Sequence, residues 1–165
     1  MYDYFVAPLR CPVCGRISPA DSSTNMQTHL SDDASGRELT VGFEFDPMEV
    51  RPQDIVDSDY LPVSPPPADG TATLLETWQC PHCGAADLWA AVALLGGRIE
   101  SIEAVALDRE TLARAHFIDE GCSMLAARLS GIAWADFAPG QVDAVAVLRE
   151  YLPVGGKQRD EGERG

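Results

Sequence analysis

The chain has 165 residues, 45% hydrophobic and 23% charged, which is enough for one domain with a real core and too little for a multidomain enzyme. Twelve Lys and Arg against 26 Asp and Glu leave a net charge of −14. That argues against binding duplex nucleic acid through phosphate contacts and against docking on anionic membranes through basic clusters. No apolar run is long enough to span a membrane, and residues 1–10 lack the basic-then-apolar order of a signal peptide, so a soluble, cytoplasmic protein is expected.

Residues 2–9 are rich in aromatic and β-branched side chains and read as a strand, and residues 18–24 as a loop of Ser, Pro and Asp. Residues 31–70 hold ten acids and two bases, a local charge of −8, and six of the twelve prolines. Proline breaks helices, so this stretch reads as irregular. Within it Leu39, Val41, Phe43 and Phe45 alternate as in a strand. Asp46-Pro47-Met48-Glu49 carries the cap and proline of a short helical turn.

Residues 71–79 and 87–95 read as strands, and Gly96-Gly97 as a tight turn to a further strand over 98–107. Ile99, Ile102 and Val105 are spaced by three, which a helix would also accommodate. After the cap residue Asp108, an apolar stripe of Leu112, Ala115, Ile118, Cys122, Leu125 and Leu129 predicts one amphipathic helix, interrupted at Gly121 and ended by Ser130-Gly131. A second helix is expected over 141–152 and a disordered tail beyond it.

Two copies of one motif organise the chain: Cys11-Pro12-Val13-Cys14-Gly15 and Cys80-Pro81-His82-Cys83-Gly84. In each, the Cys-x-x-Cys turn aims two thiolates at one point, and the glycine supplies the positive φ of the curl. Four thiolates suit one tetrahedral Zn²⁺, and such a closed set leaves no open position for catalysis. Cys11, Cys14, Cys80 and Cys83 are therefore the expected ligands of a structural zinc. Disulfides, unrelated thiols and a redox Cys-x-x-Cys are the competing readings. Cytosolic reduction disfavours the first, and no thioredoxin-like βαβ unit surrounds either pair.

With these knuckles the sequence resembles the zinc-ribbon superfamily over residues 2–17 and 71–107. The resemblance implies a three-stranded sheet beside the metal, and a superfamily of many functions. The 65 residues between Cys14 and Cys80 far exceed the common spacing of about 15 to 20, so residues 31–70 read as an insertion between the knuckles. The expected fold is α+β: a zinc-ribbon antiparallel sheet with an acidic insertion over 1–107, two helices packed on it over 108–153, and a tail over 154–165.

Cys122 reads as a buried apolar residue on the helical stripe. His82 is expected to face solvent, and His29 and His116 to be surface polar residues, with acid–base chemistry as the alternative. Asp32-Asp33 and Asp57 with Asp59 lack the pattern of a calcium loop. Trp78, Trp89 and Trp134 are expected in core or ribbon packing, with Trp78 covering the second knuckle. Arg10 and Arg16 flank the first knuckle, while Glu76 and Asp87 lie near the second.

These features favour a non-enzymatic, zinc-stabilised interaction protein, an accessory, regulatory or inhibitory (immunity-like) one, that presents acidity to a basic protein partner. A nucleic-acid-binding or transcription-associated ribbon is the second reading, with Arg98, Arg109, Arg114 and Arg128 as its local patch. An enzyme using His29, His116 or Cys122 in a cleft under the insertion is the third.

Overall fold

The computed structural model describes residues 2–30, 36–46, 55, 59–137 and 141–155. The expected turn over 46–49 and the acids Asp32, Asp33 and Asp57 lie partly or wholly outside them, as does most of the tail. The class is α+β, with two sheets and a set of short helices. The smaller sheet has the order β2-β1-β3, from β1 (Asp3–Phe5), β2 (Met26–Thr28) and β3 (Glu38–Leu39). The larger has the order β4-β8-β5-β6-β7, from β4 (Tyr60–Pro62), β5 (Thr71–Trp78), β6 (Leu88–Leu95), β7 (Arg98–Val105) and β8 (Phe117–Asp119).

Strand periodicity explains the layering. On β5, Ala72, Leu74 and Trp78 point into a core shared with Phe5, Met26 and Leu39 of the small sheet, while Leu75 points into a second core against the helices. The five-stranded sheet is thus covered on both faces. Helices α1 (Arg109–Arg114), α2 (Cys122–Ser130), α3 (Trp134–Phe137) and α4 (Ala144–Tyr151) supply Leu112, Ala126, Phe137, Val145 and Leu148 to that second core. Asp108 caps α1 through Thr111 N–H at 2.8 Å, and Asp143 caps α4 through Val145 and Ala146 N–H.

The hairpin β6–β7 turns on Gly96 and Gly97 at φ 57 and 80°, as the two-glycine turn requires. Its register shifts between Ala93 and Leu94, so that Ala93 pairs with Ser101 and Leu94 with Ile99. The bulge at Glu100 puts Ile99 and Ile102 on the same core face, which is why their spacing of three belongs to a strand.

Five expectations need correction. The strands entering the two knuckles lie in different sheets: β1 pairs with β2 and β3, not with β5 and its hairpin. The large sheet is not wholly antiparallel, because β5 and β8 are parallel.

Residues 31–70 are also more than an irregular insertion. Within them β3 and β4 complete one edge of each sheet, and Leu39, Phe45, Ile55 and Tyr60 are buried. The alternating run ends early as a strand: after β3 the chain turns at Gly42, φ 89°, and lays Phe43 and Phe45 against β7 through Ile99 N–H and Gly97 C=O.

Finally, the stripe from Leu112 to Leu125 is not one helix. It is α1, then β8, then α2, yet Leu112, Ala115, Ile118, Cys122 and Leu125 all pack into the helical core. The apolar positions were readable and the conformation between them was not. Phe117, off the stripe and buried on the opposite face, was the available sign of a strand.

Candidate metal centre and an acidic cleft

The two knuckles have nearly the same geometry. In the first, Gly15 N–H donates to Cys11 C=O and Cys11 N–H to Arg16 C=O, both at 2.9 Å. In the second, Gly84 N–H donates to Cys80 C=O and Cys80 N–H to Ala85 C=O, again at 2.9 Å. Gly15 and Gly84 share φ 75°, the left-handed region that closes each curl. Arg10 pairs with Ile17 to return the first knuckle, and His82 Nε2 lies 3.0 Å from Ile17 C=O, bridging the second knuckle to the first.

All four cysteine sulfurs lie within 4.8 Å of one another. The Cys11–Cys83 and Cys14–Cys80 sulfur separations are both 3.7 Å. Sulfurs at about 2.3 Å from one tetrahedral zinc stand about 3.8 Å apart, so the cluster has the size that the ion requires. Cys11 and Cys80 are buried in the core between the sheets, whereas Cys14 and Cys83 face outward. The backbone N–H of Cys83 draws the Cys80 thiol down to about 6. The Cys83 thiol, which the backbone N–H of Ala85 lowers, is pushed up by desolvation and the neighbouring cysteines to about 11, so that without an ion the cluster's negative charge settles on Cys80 rather than Cys83. Trp78 is buried in the same core as Cys11 and Cys80 and donates its indole N–H to Trp89 C=O at 3.0 Å.

A second site holds only one of the three residues of the enzyme reading, His29. A cleft of about 730 Å³ opens where β2, β4 and β8 meet α2 and α3. Its acidic side is Asp59, Asp119 and Glu120, and its aromatic side includes Tyr2, Tyr60 and Trp134. His29 also lines it, with Nδ1 2.8 Å from Asp59 Oδ2 and its ring stacked on Tyr2 at 4.0 Å. His29 is therefore built into a cleft and is not an isolated surface residue. Trp134, expected in core or ribbon packing, stands 49% exposed on the same cleft.

Glu76 lies behind the cleft. Because Leu75 pairs in parallel with Ile118, the next residues, Glu76 and Asp119, are neighbours on the same face. Glu76 is 1% exposed and neither of its carboxyl oxygens receives a hydrogen bond. Burial, then the Asp119 charge, holds its pKa well above the usual carboxylate range, and a protonated Glu76 can donate to Asp119. Asp119 is itself raised, by burial first, against the N–H of Gly121 that donates to Oδ1 at 2.7 Å. Glu120 is raised by burial, then by Asp59 and Asp119. Thr24 Oγ1, next to the cleft residue Asn25, is also buried without a partner.

The other candidates fall elsewhere. Cys122 is fully buried, and desolvation pushes its thiol up to about 12, far from a nucleophile's range. His116 is half-buried, not a surface residue: its Nδ1 accepts the Thr73 N–H at 2.9 Å. Among the described residues no helix is long and apolar enough to cross a membrane. No family model, no curated protein and no solved structure matches the chain.

Proposed function

We propose that this chain is a zinc-stabilised, non-enzymatic interaction protein of zinc-ribbon type, with Cys11, Cys14, Cys80 and Cys83 holding one structural Zn²⁺ and an acidic surface facing a protein partner. The observation that carries the reading is the four-sulfur cluster, whose 3.7 Å separations suit a tetrahedral ion. A thiolate set of this kind is closed, so the ion's contribution is to folding: it ties the chain after β1 to the chain after β5. The acidity supports the partner half of the reading, since negative potential attracts and selects basic surfaces.

The nucleic-acid reading is weaker on the disposition of its arginines. Arg109 caps the end of α4 through Leu152 and Glu150 carbonyls, Arg128 lies 3.3 Å from Asp87, and Arg98 lies 3.8 Å from Glu100. Three of the four candidates are thus occupied within the chain.

Two measurements test the proposal. Elemental analysis of purified protein should return one zinc per chain, lost on chelation together with a large fall in melting temperature. Chromatography on immobilised heparin at low salt should show no retention. Zinc-free protein with an unchanged melting temperature would overturn the metal assignment, and salt-sensitive retention would favour nucleic acid over a protein partner.

A further inference from the structure

We infer that the cleft between β4, β8 and α2 is a binding site for an aliphatic ammonium or guanidinium group, which sits among Asp59, Asp119 and Glu120 with its stem against Tyr2, Trp134 and Met124. The inference rests on the interaction reading above only for the source of the cation.

Three observations carry it. First, the cleft concentrates negative charge, and among the described residues no Lys or Arg lines it. Asp119 is part-buried, Asp59 and Glu120 are exposed, and His29 stands 2.8 Å from Asp59; an incoming cation relieves the repulsion among the three carboxylates. Second, Glu76 is directed at Asp119 from behind, fully buried, with both oxygens lacking a donor. A polar group this deep is normally satisfied, and Asp119, its neighbour across the β5–β8 pairing, lines the cleft. Third, the rim is apolar and uncovered: Tyr2, Trp134 and Met124 are 40, 49 and 60% exposed.

The combination selects the ligand class. An anion is repelled. Calcium or magnesium gains from oxygen ligands and nothing from an aromatic rim. A Lys or Arg side chain matches both halves, because its methylene stem packs on apolar surface while its charged head stays with carboxylates and over ring faces. A volume of about 730 Å³ accepts one such side chain with its flanking backbone. A free diamine has the same chemistry.

The test is a titration of zinc-loaded protein followed by amide NMR. The probes are the blocked tripeptides acetyl-Gly-Lys-Gly-amide and acetyl-Gly-Arg-Gly-amide, their norleucine analogue, 1,5-diaminopentane, and calcium chloride. The expected result is saturable shifts at Gln27 to His29 and Asp119 to Met124 with the cationic peptides and none with norleucine. Tighter binding of the peptides than of the diamine identifies a protein side chain as the source, and the reverse a free amine. Asp119→Asn should weaken binding about tenfold or more while keeping its zinc and its melting temperature within a few degrees. Should that variant unfold, Asp59→Asn, at an exposed position, provides the same comparison. No shifts with any cationic probe at tens of millimolar, or shifts with calcium alone, would overturn the inference. Zinc content is read in the same samples, so its failure leaves the metal assignment standing.

Discussion

Thr73 and His116 hold each other twice: Thr73 N–H donates to His116 Nδ1 at 2.9 Å, and His116 N–H donates to Thr73 C=O at 3.0 Å. The imidazole thereby acts as a surrogate strand where β8 begins beside β5, just before Phe117 takes up its pairing with Leu74. Removing the ring strands the Thr73 N–H inside the sheet, which costs about 1–3 kcal/mol. His116→Ala should lower stability by that amount in urea unfolding, and His116→Asn, whose side-chain oxygen can accept the same N–H, should recover part of it.

The metal reading predicts an asymmetric result from chelation and mutation alike. Cys80→Ser removes a buried sulfur whose partner, Cys14, stands 3.7 Å away. Structural zinc contributes on the order of 10 kcal/mol to small finger peptides. The variant should therefore bind far less zinc and aggregate or melt well below the parent, as followed by elemental analysis and calorimetry. Unchanged zinc content would show that the sulfur is no ligand.

Glu76 should make the protein less stable as pH rises. Its folded-state pKa is raised, so above the usual glutamate range the folded chain holds a proton that the unfolded chain has released. The unfolded state then binds fewer protons, and unfolding free energy falls with pH until Glu76 ionises in the fold. Asp119 and Glu120 act with the same sign. The zinc thiolates act in both proteins alike, so the comparison to make is between parent and Glu76→Gln, each with saturating zinc, from pH 5.5 to 8.5. The variant should be the more stable at the alkaline end, by about 1–3 kcal/mol, and should lose part of the slope.

Cys122 should be silent to thiol reagents in the folded protein. It is fully buried, and its thiol is raised to about 12 by desolvation, then by Asp119. All five cysteines are free thiols. Zinc-loaded protein should react slowly or not at all with an aromatic disulfide reagent, and chelated, denatured protein should release five equivalents. Fast reaction of one thiol that disappears in Cys122→Ala would restore the nucleophile reading.

What could be read from the chain divides along physical lines. The knuckles were legible because their geometry is local: five consecutive residues with a positive-φ glycine suffice to aim two sulfurs. The hairpin and the caps of α1 and α4 were legible for the same reason. Strand β8 was hidden because its pairing with β5 is parallel and tertiary, and because Ile118 contributes to the helical core as a helix residue would.

The cleft was hidden because its residues come from six separate stretches that the tertiary fold brings together. Two of its three acids, Asp119 and Glu120, lie outside the acidic run at 31–70 on which attention falls. One mark was available: Glu76 occupies the same strand face as Leu74 and Trp78, an acid at a core position.

The separation of the knuckles also sets the order of events at the ribosome. Cys11 and Cys14 emerge early, and 65 further residues must be synthesised before Cys80 appears. Until then a bound ion has half its sulfurs and the nascent chain has no clasp. Closing so long a loop is entropically slow, and contacts of high sequence separation delay folding. An ion held by all four sulfurs could thus be captured only once Cys83 has appeared, with β6, β7 and β8 still to follow, and a chain deprived of it would lack the clasp between its β1 and β5 regions.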